Sequence, residues 1–207
     1  MAIHVRQRVS SAVRRIVVVA VVACLAGATA SIAQTMGPSS PPELSVREDR
    51  GVYFVTARFG VPQPAPAAFA VLTDYERIPR FMPGIETSVV LERGADRVLI
   101  EQEVVSRLML FSKHVHLVLE IVEGHDTLRF RDRSGQSFTR YEGQWRLCEE
   151  SGGTSISYEL TAQPAFSVPE FLLKRLLKRD SAQMIDSLRR EIDTRARGLA
   201  ADSQPEH

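Results

Sequence analysis

Hydrophobic and polar residues alternate with a period of two along the middle of this chain. From Val52 to Val61, Tyr53, Val55, Ala57, Phe59 and Val61 share one parity, with Thr56 and Arg58 on the other. Such alternation predicts a strand with one covered and one wet face, the habit of antiparallel sheets. The pattern returns twice. Val115, Leu117, Leu119 and Ile121 alternate with His116 and Glu120, and Ile156, Tyr158, Leu160 and Ala162 alternate with Ser155, Ser157, Glu159 and Thr161. Turn signals such as Arg93-Gly94-Ala95-Asp96, Glu123-Gly124-His125-Asp126 and Ser151-Gly152-Gly153 divide the stretch into predicted strands at about 85–92, 97–105, 113–122, 127–132, 137–149 and 153–162.

Two short helices are predicted after the first strand. Pro62, Pro64 and Pro66 close the strand and open a helix over Ala67–Leu72; Asp74 heads a second over Tyr75–Phe81, distorted by Pro79 and ended by Met82-Pro83-Gly84. The last third of the chain changes to a helical period, with Leu173, Leu177, Met184, Leu188 and Ile192 on one stripe flanked by Phe171, Leu172 and Leu176. Ser167-Val168-Pro169-Glu170 has the form of a capping box and Gly198 that of a left-handed stop, so the predicted helix runs from Ser167 to about Arg197. At about 1.5 Å per residue it is roughly 43 Å long, more than a small domain needs for a core element. The order β-αα-ββββββ-α is that of an α+β helix-grip fold: a curved antiparallel sheet of about seven strands wrapped around a long C-terminal helix, with two short helices plugging one end.

Residues 1–33 stand apart. Arg6, Arg8, Arg14 and Arg15 form a positive region, Ile16–Ala26 an apolar one, and Ser31-Ile32-Ala33 a small-residue cleavage site before Gln34. This is the pattern of a cleaved signal peptide, and it predicts a periplasmic or secreted protein. Arg14-Arg15 also loosely resembles a twin-arginine signal, and Val21-Val22-Ala23-Cys24 a lipoprotein box, the alternative being a lipid anchor at Cys24. Cleavage removes four of the 26 basic residues and none of the 25 acidic ones, leaving a net charge of about −3. That is no basic excess for nucleic acid. Without Cys24, Cys148 is alone; no intramolecular disulfide forms, and a free thiol in an export compartment is expected to be buried. Residues 34–50, with Pro38, Pro41 and Pro42, are predicted to be a disordered leader.

Particular motifs narrow the fold. Val71-Leu72-Thr73-Asp74-Tyr75-Glu76-Arg77-Ile78-Pro79-Arg80-Phe81-Met82-Pro83-Gly84 resembles the helix-turn signature of the polyketide cyclase/dehydrase and START-like (SRPBCC) superfamily, closest to its coenzyme-Q-binding START-domain family. Phe138-Thr139-Arg140-Tyr141-Glu142-Gly143-Gln144-Trp145 looks like that family's aromatic-Gly-aromatic strand, and Gly152-Gly153-Thr154 and Val168–Leu173 extend the match. The resemblance covers about residues 52–195. It implies a hydrophobic cavity for lipids, isoprenoid quinones or polyketide-like molecules, with many members that only bind and carry. The export signal departs from the mitochondrial members and shifts the expectation toward an envelope lipid. The domain layout is then a signal peptide at 1–33, a leader at 34–50, a START-like domain at 51–198 and a disordered tail at 199–207.

Catalytic patterns are lacking: there is no phosphate loop, HExxH or CxxC, and no His spaced to a Ser or Cys nucleophile. His114 and His116 share one strand face, and a hairpin near Met109 would set Glu103 opposite His116 with Glu101 two residues along. This is either a metal site or, the preferred reading, a cross-strand charge pair. Gln102 lies on the apolar parity with Val98, Ile100 and Val104, so its amide meets a ligand's polar head or a neighbouring side chain. Tyr141 and Tyr158 present similar hydroxyls. Leu108, Met109, Leu110 and Phe111 form either a cavity lid or a strand continuing into the core. Lys174, Arg175, Lys178 and Arg179 are a solvated helix face or a contact for anionic lipid headgroups.

The expected function is binding or carriage of a hydrophobic small molecule, whether lipid, isoprenoid or quinone-like, without a cofactor. Phe81, Gln102, Leu108, Met109, Phe111, Leu117, Tyr141, Trp145, Tyr158, Leu172 and Leu176 are the candidate cavity residues. Two alternatives remain: a cyclase- or dehydratase-like enzyme using the same cavity, which would need an acid or base positioned inside, and an envelope interaction protein whose interior is packed core.

Overall fold

The computed structural model describes residues 41–202 except 109 and 110, and gives the backbone alone at 106–108, 111–113 and 202. The predicted signal segment 1–33, the leader up to residue 40, the tail from residue 203, Met109 and the side chains of Leu108 and Phe111 lie outside the described residues. Strands β1 (Glu43–Asp49), β2 (Val52–Val61), β3 (Ile85–Arg93), β4 (Arg97–Leu108), β5 (Phe111–Glu123), β6 (Thr127–Asp132), β7 (Phe138–Glu150) and β8 (Gly153–Pro164) form one antiparallel sheet in the order β1-β2-β8-β7-β6-β5-β4-β3. Helices α1 (Ala65–Leu72) and α2 (Ile78–Phe81), the latter led by a 3-10 turn at Tyr75–Arg77, follow β2, and α3 (Glu170–Asp202) closes the chain. This is the α+β helix-grip architecture expected from the pattern.

Parity sets the inside of the sheet. Tyr53, Val55, Ala57, Phe59 and Val61 of β2 are all buried, as are Ile156, Tyr158, Leu160 and Ala162 of β8. Against them α3 presents Ile185, Leu188 and Ile192, each at most 1% exposed. Burying a side chain of this kind stabilises by about 1.5–3 kcal/mol. The plug at α1–α2 is tied to α3 by Arg195, whose Nη1 donates to Asp74 Oδ2 at 2.7 Å while its Nε donates to Glu191.

Four details differ from the sequence reading. First, residues 43–49, expected in the disordered leader, form β1. Leu44 and Val46 alternate with polar residues and are only half-buried, so their apolar signal is weak beside three prolines. A two-residue turn of Arg50 (φ 51°) and Gly51 (φ 79°) returns the chain to β2, and both positive angles match the twist of a tight hairpin. Second, α3 begins at Glu170, three residues after the expected cap. The Pro169 carbonyl accepts from the amides of Leu172 and Leu173, which places Glu170 in the first turn, where it pairs with Lys174 at 3.3 Å. Third, α3 runs through Gly198 to Asp202, over 33 residues or about 50 Å. Glycine permits a left-handed stop but does not compel one, and the Arg195–Glu191 and Arg197–Asp193 pairs support the turns before it. Fourth, Cys148 is exposed: Leu147 takes the inward position on β7, and parity sends the next side chain to solvent.

The edge strand β3 slips register against β4 twice, between Ile85 and Thr87 and between Val90 and Glu92, and leaves Val89 and Leu91 exposed. Inside the sheet, Gly143 of β7 allows a close approach. A Cβ there would fall on the Glu159 carbonyl oxygen and within 2.6 Å of Phe130 Cζ. Gly143→Ala is therefore expected to destabilise the fold by about 1–3 kcal/mol, read as a lower urea midpoint with unchanged slope.

Candidate functional site

Under α3 the inner face of the sheet is not completely filled. One space, of about 140 Å³, lies beneath the plug: Val71, Leu72, Ile78 and Phe81 meet Ile100, Leu119, Ile121, Leu128, Phe130 and Trp145. A second, of about 200 Å³, lies toward the start of α3, between Val104, Val115, Leu117 and Phe138 of the sheet and Leu173, Leu176 and Leu177 of the helix. Phe166 and Val168 line it from the β8–α3 link, and the exposed Pro83 brings it to the surface. The two spaces share Met82, Ile85, Gln102, Tyr141, Tyr158 and Met184, and so are lobes of one cavity with a common waist.

The rings at the waist hold one another. Trp145 lies 4.3 Å from Tyr158, Phe138 4.9 Å from Tyr141, and Phe130 reaches both tyrosines, at 6.0 and 6.3 Å between centroids. Such aromatic pairs, three tilted and one stacked, fix ring orientation beyond simple burial. Tyr141, Trp145 and Met184 are only partly buried, and all three line the cavity.

Polar groups are few. Gln102 Nε2 donates to Ser88 Oγ of the neighbouring strand at 3.1 Å, so the amide is held by a side chain while still lining both lobes. Tyr141 and Tyr158 bring a phenol each to the lining of both lobes. Burial pushes the Tyr141 phenol up to about 12, and burial pushes Tyr158 well above its usual value, with Tyr141 adding to it. Both phenols are neutral at physiological pH. Tyr75 is also raised, by burial and by its 2.7 Å hydrogen bond to Glu123, and Tyr53 is raised by burial. At the second lobe's edge Asp180 accepts from Arg179, at 2.6 Å to Nη2.

Of the sequence-predicted residues, the cavity gathers Phe81, Gln102, Leu117, Tyr141, Trp145, Tyr158 and Leu176. Leu172 packs instead with Tyr53, Leu173 and Leu176 outside both linings. Met82, Ile85, Phe138 and Met184 were missed; the helical stripe already held Met184, but spacing alone does not separate a cavity wall from a core seam.

The wet face behaves differently. His116 Nδ1 lies 2.6 Å from Glu103 Oε1 and Nε2 lies 3.6 Å from Glu101, in the register the hairpin predicts. His114 is exposed, and no group of three metal-ligating residues occurs among the described residues. A concavity of about 580 Å³ on this face is lined by Arg97, Glu120, Arg129, Arg131, Glu142 and Glu159. Glu120 lies within 4 Å of Arg97, Arg131 and Arg133, and hydrogen bonding to Arg131 holds its carboxyl below the usual range. It is a salt-bridged surface in which charged side chains outnumber the apolar Val122 and Phe130, unlike a small-molecule site.

A family profile described as polyketide cyclase / dehydrase and lipid transport matches residues 61–189, which include the plug, the waist and most of α3. The chain belongs to this family. The profile does not single out the superfamily's quinone-binding branch. Solved structures similar to this polyketide cyclase-family chain include a STAR-related lipid transfer protein from Xanthomonas axonopodis (18% identity, 72% of this chain and 98% of that one, TM-score 0.59). The Zhui aromatase/cyclase from Streptomyces sp. R1128 is similar at 14% identity, over 70% and 96%, TM-score 0.61. Human STARD10 is similar at 11% identity, over 72% of each chain, TM-score 0.58. At these identities the likeness is one of fold. Comparison with curated proteins by sequence finds no match.

Two outcomes follow from the site. Ile185 is fully buried and Met184 beside it faces the cavity, so Ile185→Ala is expected to cost about 2–5 kcal/mol and Met184→Ala clearly less, in chemical denaturation. All four tyrosines of the chain are raised above 10. Their contribution to stability is complete below pH 10, where unfolded phenols are still protonated, and is lost as pH climbs toward the folded values. For Tyr141 that window is about pH 10 to about 12, with a loss of about 1.4 kcal/mol per pH unit. Absorbance at 295 nm is expected to show less ionisation at pH 10.5 in the folded protein than in the same chain in urea.

Proposed function

We propose that this is a binding or carrier protein for a hydrophobic small molecule, lipid or isoprenoid-like, held in the two-lobed cavity beneath α3 and acting outside the cytoplasm. The observation that supports this best is the cavity itself: apolar walls on either side of a waist with few polar groups. Binding would draw on desolvation, at about 25 cal/mol per Å² of apolar surface removed from water. The family's description as one of lipid transport and the name of the Xanthomonas lipid transfer protein are consistent with it. Export rests on the residues of the 1–33 segment described above.

Access is assigned to the second lobe, which reaches the surface at Pro83 near the first turns of α3. There Phe171 is 74% exposed, beside the exposed Arg175 and Lys178; Lys174 and Arg179 of the same stripe pair with Glu170 and Asp180. An aromatic ring beside free cations suits transient contact with an anionic membrane surface, at about 1 kcal/mol per charge. The enzyme alternative finds less support, because burial keeps the waist tyrosines protonated and so leaves no base among them at physiological pH. An interaction protein with a packed core would leave no such space.

Native mass spectrometry of the protein purified from its own cells is the direct test. A co-purifying hydrophobic molecule of defined mass is the expected result. Protein that emerges empty, and takes up nothing from vesicles of total membrane lipid, would overturn the proposal.

A further inference from the structure

Strand β1 ends the sheet, and among the described residues no strand lies on its outer side. Its register against β2 is unbroken, from Glu43 opposite Arg58 to Asp49 opposite Val52. The two-residue turn at Arg50-Gly51 makes Asp49 and Val52 the pair that closes the hairpin, exchanging both backbone hydrogen bonds. Bonded positions alternate along an antiparallel ladder. Glu43, Ser45, Arg47 and Asp49 therefore turn their N–H and C=O groups toward β2, and Leu44, Val46 and Glu48 turn theirs outward. Side chains alternate between the two faces: Leu44 and Val46 lie half-buried against the core, while Glu43, Ser45 and Arg47 stand exposed on the wet face.

Charge adds a second condition. Among the described residues Glu43 forms no ion pair, because Arg58 across from it bonds to Ser155 and Glu150 instead. Arg47 lies over the Phe54 ring at 4.5 Å and has no carboxylate partner either. Two copies of β1 related by a twofold axis through Ser45 satisfy both. In that register Glu43 of each copy faces Arg47 of the other on the wet face, and Leu44 faces Val46 on the inner face. Each Leu44–Val46 pair then exchanges both of its outward backbone bonds. Moving the axis to Val46 would set Glu43 against Asp49, two carboxylates, and moving it to Arg47 would oppose two cations. We propose that β1 is a homodimer interface, at which two copies join edge to edge about Ser45 to make one continuous antiparallel sheet. The contact is isologous, so it uses up both β1 edges and stops at two. Pro42, next on the outward parity, has no N–H, and Glu48 at the other end holds the Gly51 amide at 2.6 Å. A strip of about five residues, roughly 17 Å long, belongs with the weak and transient interfaces.

Sedimentation velocity of the protein purified from its own cells, at about 10 μM to about 1 mM, is expected to show a monomer–dimer equilibrium. The variants E43R and R47E each bring like charges face to face at both ends of the contact. Each is expected to weaken the dimer about fourfold or more, and the E43R/R47E double variant to regain it. V46P removes an outward N–H and leaves the β1–β2 ladder whole, so a folded monomer at every concentration is expected. The axis is tested by cross-linking. Ser45 meets its own copy at a non-hydrogen-bonded position, where Cα atoms lie about 4.5 Å apart, within reach of a disulfide. S45C is therefore expected to form a covalent dimer on mild oxidation and R47C is not, both with the exposed Cys148 replaced by Ser. If V46P does not fold, the charge exchange and the cross-link decide. Native protein that stays monomeric throughout, whether or not another polypeptide co-purifies with it, overturns the proposal. So does a dimer that persists in folded V46P, a double variant that fails to regain association, or S45C that does not cross-link. None of these outcomes touches the carrier reading, which concerns the cavity.

Discussion

A single helix cannot cover a sheet of this width. Eight strands at about 4.8 Å spacing span roughly 34 Å, whereas a helix with its side chains is about 10–12 Å across. The stripe of Ile185, Leu188 and Ile192 closes one seam of the inner face completely. The remainder of that face must be covered by curvature, by the α1–α2 plug or by something held between sheet and helix. The cavity lies where the first two fall short, so it follows from the fold's proportions rather than from an isolated packing fault. The length of α3 matters for the same reason, since one end meets the plug through Arg195 and Asp74 while the other borders the second lobe.

The two faces of the sheet divide the chemistry. Outside, charged groups meet in pairs and networks, such as Glu120 with its arginines and His116 with Glu103 and Glu101. Exposed pairs of this kind contribute little each. Inside, the polar groups that line the cavity are few, and aromatic neighbours hold the tyrosines in place. A pair of neutral phenols in an apolar enclosure is a hydrogen-bonding fixture, and at physiological pH it has no charge to offer.

Much of this was legible in the sequence. Parity identified the inner face of β2, β5 and β8, and the Glu103–His116 pairing followed from the expected hairpin centre. Gln102 was recognisable because a polar atom on an apolar parity needs a partner. The limits have physical causes. Leu44 and Val46 cover only half a face, so β1 left a faint pattern among prolines. A capping box and a glycine are permissive signals, and α3 started later and ended later than they suggested. Met82, Ile85 and Met184 carry no mark of a cavity, because the same residue types at the same spacing would equally fill a solid core. Whether an interior is closed depends on distances between elements, which no local pattern encodes.

An open sheet has two free edges, and a free edge is a template on which another chain can add a strand. At β3 the ladder shifts register twice within nine residues. A strand docking there would meet backbone donors and acceptors that fall out of step after each short run, and would gain little before the mismatch. Val89 and Leu91 can therefore stand exposed on this edge without offering a continuous surface for aggregation. The irregularity of β3 makes this edge a poor template while the rest of the sheet stays regular enough to shape the cavity.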